Sequence, residues 1–367
     1  MRLKNIMSDI SDFHNEPEHV CVSIIVAVYN PPIEYFNKFI ESALKQTLKQ
    51  IEILFIDDAS PGEAPEILDQ LAIRENRVKV FHRKENGRAG AARGDGLDHA
   101  TGEYILFADC DDIFEPDMCE TLYKLGKMNN ADIVSSSWVI ESADGSRLGE
   151  ELFPDETFDL TTELGQVGGM RYLNHALWNK LFKQEMVGSL RFSQYAVNIG
   201  EDRLFNIECF CRSSKMLTTD YVGYHYLIHT SSATGRSSKG MKYLNVIRES
   251  ESDVHSALRK TGLNKVMDVY ADIWALQWFS IGCQWIADEP DDQVKRKMWS
   301  EWRKYYCKAI LPGLRFHKML GLWYRALIST GSSRIVWSGT WLISRSVYKF
   351  HLFINIRRLQ YKDAGQS

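Results

Sequence analysis

Asp109-Cys110-Asp111-Asp112 puts three carboxylates within four residues, directly behind the apolar run Tyr104-Ile105-Leu106-Phe107-Ala108. Carboxylates packed this closely at the end of a buried segment repel one another, and a cation relieves the repulsion. Hard divalent ions such as Mg2+ and Mn2+ take oxygen ligands and commonly divide them between one or two carboxylates and the phosphates of a substrate. An Asp-x-Asp pair alone is equally well an acidic turn in water, so its place behind an apolar strand favours the metal. Other polar groups follow apolar runs in the same way: Tyr29-Asn30, Asp57-Asp58-Ala59-Ser60 and His82-Arg83.

Elements that put those residues together are legible in the apolar pattern. Between 21 and 139 short β-branched runs alternate with longer amphipathic ones, which predicts strand–helix–strand units and an α/β fold with a mostly parallel sheet. Strands are expected at 22–29, 51–56, 78–81, 104–108 and 133–139. Helices are expected from Pro31-Pro32 to about 46, and over 64–74, 90–100 and 116–128. Open parallel sheets bind ligands beyond the carboxyl ends of their strands, so all four polar loops are expected on one rim. After about 146 the pattern is mixed, and from 241 it is mainly helical, with Trp274, Trp278, Ile281 and Trp285 at helical spacing.

Composition excludes several classes. With 44% hydrophobic and 25% charged residues the chain is globular rather than disordered or many times membrane-spanning. Seven cysteines without a Cys-x-x-Cys pair argue against a zinc ribbon or a disulfide framework and fit a reducing cytoplasm. The first twenty residues lack a continuous apolar stretch and are read as a flexible arm rather than a signal peptide. Gly87–Gly96 has neither Walker nor dinucleotide-binding spacing and does not follow the first strand, which excludes kinase and dehydrogenase readings. Between Arg303 and Lys362 there are twelve Lys or Arg and no Asp or Glu, so the net charge of −4 leaves −16 for the rest of the chain.

Several segments agree in order with one family. Val22-Ser23-Ile24-Ile25-Val26-Ala27-Val28-Tyr29-Asn30 resembles the first strand of the family 2 inverting glycosyltransferases, which have the GT-A nucleotide-sugar fold. Ile56-Asp57-Asp58-Ala59-Ser60 resembles their Asp-Asp-Gly-Ser, with Ala for Gly. Asn86-Gly87 through Ala92-Arg93 resembles Asn-x-Gly to Ala-Arg-Asn, with Gly94 for the last Asn, and Gly102-Glu103-Tyr104-Ile105 leads into the Asp109–Asp112 segment as in the family. Trp178-Asn179-Lys180-Leu181 and Gly200-Glu201-Asp202 resemble two further segments found in bacterial polysaccharide enzymes.

The resemblance implies roles. Ala27, Tyr29 and Asp57 would line the nucleobase and ribose pocket, with Asp57 or Asp58 accepting a hydrogen bond from the base. Arg93, with Arg88, would face the diphosphate, because a guanidinium fork matches phosphate oxygens. Asp109 and Asp111 would hold Mn2+ or Mg2+, Asp111 most directly and Asp109 toward the ribose as well, with Asp112 orienting the loop or the acceptor. His229 is a further candidate at the metal or diphosphate, as is His225. Trp178 and Lys180 would floor the sugar pocket and contact phosphate. Asp202 is the candidate base that draws the proton from the acceptor hydroxyl, with Glu201 as the alternate; the competing reading places both acids in a helix's first turn.

The expected organisation is an arm over 1–20, a GT-A domain over 21–240 (donor half 21–140, acceptor half 141–240) and a helical region over 241–367. The implied partners are a nucleotide-sugar donor, UDP-linked by family resemblance, and a glycan or lipid-linked acceptor in cell-surface polysaccharide synthesis. The basic aromatic tail suits an anionic membrane surface on the cytoplasmic face of an inner membrane; packing against the acidic core is the alternative, and nucleic acid is not expected. A non-catalytic glycan- or nucleotide-sugar-binding scaffold is the competing function. Retention of Asp109, Asp111, Asp112 and Asp202 argues against it.

Overall fold

A computed structural model describes residues 19–174, 176–192, 201–229, 286 and 291–305. The first four strands are β1 (Val22–Val28), β2 (Ile51–Asp57), β3 (Val78–His82) and β4 (Tyr104–Asp109), joined by α1 (Ile33–Leu44), α2 (Ala64–Arg74) and α3 (Arg88–His99). Then come β5 (Ile113–Phe114), α4 (Met118–Asn129), β6 (Ile133–Ser142), β7 (Arg147–Glu151), β8 (Glu156–Asp159), α5 (Glu163–Met170), β9 (Lys180–Lys183) and α6 (Gln184–Val187). The last described elements are α7 (Glu201–Arg212), β10 (Lys215–Ile228) and α8 (Asp292–Tyr305).

One sheet runs in the order β3-β2-β1-β4-β9-β6-β10-β5, with β7 on β6 and β8 on β10. From β3 to β4 every pairing is parallel, as the alternating pattern predicts. Past β4 the sheet is mixed: β9 runs antiparallel to both β4 and β6, and β10 lies parallel to β6. Strand β9 comes from the later part of the chain yet sits between β4 and β6. It therefore interleaves the two halves that the sequence suggests.

Two apolar clusters cover the two faces of the sheet. One gathers alternate β-strand residues such as Ile25 and Phe107 against Leu97 of α3 and Leu204, Phe205 and Phe210 of α7. The other joins Ile24, Phe55 and Leu106 to Phe36 and Phe39 of α1 and Met118 and Leu122 of α4. Helix α3 lies close on β1 because of Gly96, where a Cβ would come within 2.3 Å of the Ile25 methyl Cγ2. Helix α1 stops at Leu44, where its apolar pattern ends and two residues before the expected end at about 46, and Gln46 is committed elsewhere. Its amide donates to the Glu115 carbonyl at 2.8 Å and accepts from the Cys119 N–H at 2.9 Å, satisfying an orphan donor in the first turn of α4.

Glu52 is a buried carboxylate in β2 that the pattern does not flag. It accepts from Ser23 Oγ at 2.6 Å, Thr101 N at 2.7 Å, Thr101 Oγ1 at 2.9 Å and Lys79 Nζ at 2.7 Å. Burial opposes its charge, but these donors prevail and hold its pKa below the ordinary value. The saturated carboxylate ties β1, β2, β3 and the turn before β4 into one block. Residues 1–18 of the expected arm, the helix expected over 274–285 and all but the start of the basic tail lie outside the described residues. Among the described residues no helix is long and apolar enough to cross a membrane.

Candidate active site

The loops after β1, β2 and β3 meet at a cavity of about 330 Å³ lined by Ala27, Val28, Tyr29, Asp58, Asn86, Arg88 and Ala89. Backbone strain collects on this rim: Asn30, Ala59 and Arg88 have φ of 45°, 59° and 69°. A side chain in that region costs about 1 kcal/mol relative to glycine, which explains why a glycine suits the position that Ala59 fills. Of the two carboxylates that end β2, Asp57 is turned aside. Its oxygens are occupied by the Ser60 N–H at 3.0 Å and by His82 Nδ1 at 2.8 Å, while His82 Nε2 meets Asp69 at 3.0 Å. Asp58 lines the cavity instead. Its Oδ1 accepts from Arg83 Nη1 at 2.5 Å and from the Gly87 N–H at 2.8 Å, and its Oδ2 is buried without a hydrogen-bond partner. The sequence leaves Asp57 and Asp58 both open as the base acceptor; of the two, only Asp58 lines the cavity.

The acidic loop after β4 is held to the far side of the sheet. Asp112 is 1% exposed, accepts from the Tyr224 hydroxyl at 2.6 Å and from the Leu227 N–H at 2.8 Å, and is followed by β5, which pairs with β10. It fastens the loop. Asp109 and Asp111 keep about a third of their side-chain surface exposed. Burial and the neighbouring Asp109 raise the pKa of Asp111, and burial with Asp109 and Asp111 raises that of Asp112 well above the usual carboxylate range. The loop therefore has an unmet demand for positive charge, which is the physical condition for a divalent cation. His229 Nε2 lies 3.0 Å from Asp111 Oδ2, and its ring stacks on Tyr35 with centroids 4.3 Å apart. Among the described residues no three Asp, Glu, His or Cys side chains converge as a complete ligand set.

Arg93 differs from its expected role. Rather than facing the diphosphate, it is 5% exposed, and its guanidinium is spent on Asp109 Oδ1 at 2.8 Å and on Asp202 Oδ1. Gly94 replaces the family's Asn next to it, and the helix passes close enough to α7 that a Cβ on Gly90 would come within 3.1 Å of Glu201 Cγ. Helix α7 is seated by Phe205, which stacks on Phe192 at 4.4 Å and packs edge-on against Phe107 at 5.4 Å. That packing carries Asp202 to the rim. Burial raises the Asp202 pKa to about 7, Arg93 working against the rise and Glu201 and Asp109 adding to it. A carboxyl poised there is matched to proton abstraction near neutral pH.

Three further expectations need correction. Lys180 does not reach phosphate: it is 0% exposed, and its ammonium donates to Ala176 O at 2.5 Å, to Asn179 Oδ1 at 2.9 Å and to Asn174 Oδ1. It pins the turn before β9. Trp178 is buried in an aromatic stack, 4.3 Å from Tyr224 and 5.6 Å from Tyr226, so it supports the tyrosine that holds Asp112 rather than forming an open sugar floor. His225 sits opposite Ile113, just past the acidic loop, but its two ring nitrogens are taken up by Glu115 at 2.9 Å and Glu141 at 3.0 Å. Arg88 does line the cavity. Sequence reasoning passes over Arg83 as a site residue, although the strand-end rule that selects the neighbouring loops marks it as well.

Burial without an anionic partner lowers the Lys180 pKa to about 7. The unfolded chain therefore holds a proton that the folded one releases across pH 7 to 10.5, and this residue's contribution to stability grows as pH rises through that window. The stability difference between wild type and Lys180→Met should shift toward wild type by up to about 1.4 kcal/mol per pH unit there. Denaturant melts at about pH 7 and about pH 9.5 measure it, and a pH-independent difference contradicts the neutral-amine account.

Comparison with known proteins agrees with this geometry. Residues 23–191 match the family model described as glycosyl transferase family 2. The putative glycosyltransferase EpsH of Bacillus subtilis is 33% identical over 60% of this chain and 65% of its own length. A cholesterol galactosyltransferase of Borreliella burgdorferi is 29% identical over 68% of this chain and 71% of its own. The chain thus spans just under two thirds of EpsH. The crystal structure of Staphylococcus aureus TarS 1–349 in complex with UDP shares the fold at 17% identity, with a TM-score of 0.54 over 83% of this chain and 91% of that one. With the motif order, the parallel β3-β2-β1-β4 block and the acidic loop behind β4 all in agreement, residues 23–191 match a family 2 glycosyltransferase domain and the chain has a GT-A-like fold.

Proposed function

We propose that the chain transfers a sugar from a nucleotide diphosphate donor, UDP-linked, to a hydroxyl of a glycan or lipid-linked acceptor in cell-surface polysaccharide synthesis. The observation that carries this reading is Arg93, whose one guanidinium joins Asp109 of the acidic loop to Asp202 on α7. That link puts a donor-side carboxylate and a carboxyl with a pKa of about 7 at a single point beside the cavity. The nucleobase and ribose enter among Ala27, Tyr29, Asp58 and Arg88, with the diphosphate toward Asp109 and Asp111. Asp109 and Asp111 would hold a Mg2+ or Mn2+ ion, with His229 a further candidate ligand, and the ion would supply charge stabilisation to the departing diphosphate. Asp202 takes the proton as the acceptor oxygen attacks the anomeric carbon; the bond to the diphosphate breaks on the opposite face, inverting the centre. Glu201 keeps the Asp202 carboxyl protonatable through like-charge repulsion, and Arg93 fixes its direction. UDP and UDP-GlcNAc complexes of TarS support a uridine donor. The basic tail suits an anionic cytoplasmic membrane face, where a lipid-linked acceptor is available.

The test is a panel of UDP-, GDP- and CDP-sugars with Mn2+ or Mg2+, monitoring nucleoside diphosphate release with and without lipid and glycan acceptors. Metal-dependent UDP release that requires acceptor supports the reading. No release from any donor with any acceptor in the panel overturns it.

A further inference from the structure

We propose that Arg83 is the positioning residue that sets which pyrimidine the donor cavity accepts. It fixes Asp58 so that the free carboxylate oxygen takes an N–H from uracil and turns cytosine away. The inference rests on the donor-site reading above and goes on to name what controls its base selectivity.

Asp58 is 2% exposed, and its two oxygens have different fates. Oδ1 accepts from Arg83 Nη1 at 2.5 Å and from the Gly87 N–H at 2.8 Å, whereas Oδ2 is buried with no partner on a residue that lines the cavity. Buried polar atoms in folded proteins are nearly always hydrogen-bonded, so an unmatched oxygen at a cavity wall marks a place for a ligand's donor. A carboxylate oxygen offers acceptors only, and Arg83 and Gly87 already occupy Oδ1. Uracil offers N3–H to such an atom; cytosine offers a lone pair at N3, and acceptor would face acceptor. Sites built around one buried hydrogen bond discriminate strongly against analogues that lack it.

Arg83 itself is anchored from outside the cavity. Its Nε donates to Asp95 Oδ2 at 2.7 Å on α3, so the fork spans from helix to strand end and cannot swing with Asp58. The loop backbone closes over it at Gly87, where a Cβ would lie 2.2 Å from Arg83 Nη1. Gly87 has φ −113°, which alanine also adopts. Gly87→Ala therefore crowds the guanidinium, and also Ala91 Cβ at 2.9 Å, and it tests the same contact with Arg83 still present.

Calorimetric titration of UDP and CDP into the full chain with Mg2+ reads the proposal directly. Wild type is expected to favour UDP over CDP by roughly 30-fold or more, and Arg83→Met to lose about tenfold in UDP affinity and most of that preference. Gly87→Ala should reproduce the loss, and Arg83→Lys should recover part of it by returning a single charge to Oδ1. Donor KM should rise while kcat at saturating donor stays within about threefold, because a residue acting through binding alone leaves the chemical step intact. A purely structural role would lower melting temperature and kcat without changing the base preference. If Arg83→Met fails to fold, the base preference of Gly87→Ala and Arg83→Lys decides the matter. Wild type that binds UDP selectively while the variants keep its UDP-to-CDP ratio overturns the role of Arg83 alone. Wild type that binds neither nucleotide overturns the donor-site reading and this inference together.

Discussion

Asp202→Asn is expected to reduce turnover by about 10³-fold, in the range that general base catalysis supplies, while UDP affinity changes less than about threefold. The separation of effects follows from position. Asp202 reaches the rim on α7 and touches Arg93, whereas Asp58, Tyr29 and Arg88 line the cavity on the opposite flank of β1. Asparagine retains an oxygen for the Arg93 fork, so helix and loop stay in place and only the proton acceptor is removed. With the Asp202 pKa raised to about 7, wild-type kcat/KM should fall about tenfold per unit as pH drops below that value. The sign is that of a group that must be ionised to act. Single-turnover transfer and UDP titration on the same preparation check both halves, and an active, well-folded Asp202→Asn protein removes the assignment.

Asp111→Asn should be comparably severe for a different reason. Asp111 retains exposed oxygen surface beside His229, and its carboxyl is destabilised in the charged form by burial and by Asp109. Neutralising it removes half of the strongest charge available to a divalent ion at the loop. Transfer should drop by about 10²-fold or more at moderate metal concentration, with a raised requirement for Mn2+ or Mg2+. Here, in contrast to Asp202→Asn, the defect should appear in the metal-dependence curve. An unchanged metal requirement argues that the ion is held elsewhere.

Much of this organisation is legible in the sequence because buried parallel strands are short, continuous apolar runs. β2 and β4 are recognisable for that reason, and each strand's end exposes the next polar residues to the rim. Which carboxylate of Asp57-Asp58 faces the cavity is not legible, since it depends on His82 and Arg83 arriving from β3. The fate of Arg93 is hidden for the same kind of reason. Its partners are 16 and 109 residues away, and only the close approach of α3 and α7 at Gly90 brings them together. Lys180 misleads because a lysine in a short motif reads as an available charge, yet three neutral oxygens on a single turn absorb it.

The position of β9 between β4 and β6 also bears on how the enzyme can be recombined. A chimera that joins the donor half, through about residue 140, to the acceptor portion of a relative would replace β9, the neighbour of β4, and Tyr224, the clasp on Asp112. A cut at that boundary therefore divides one sheet rather than separating two independent units.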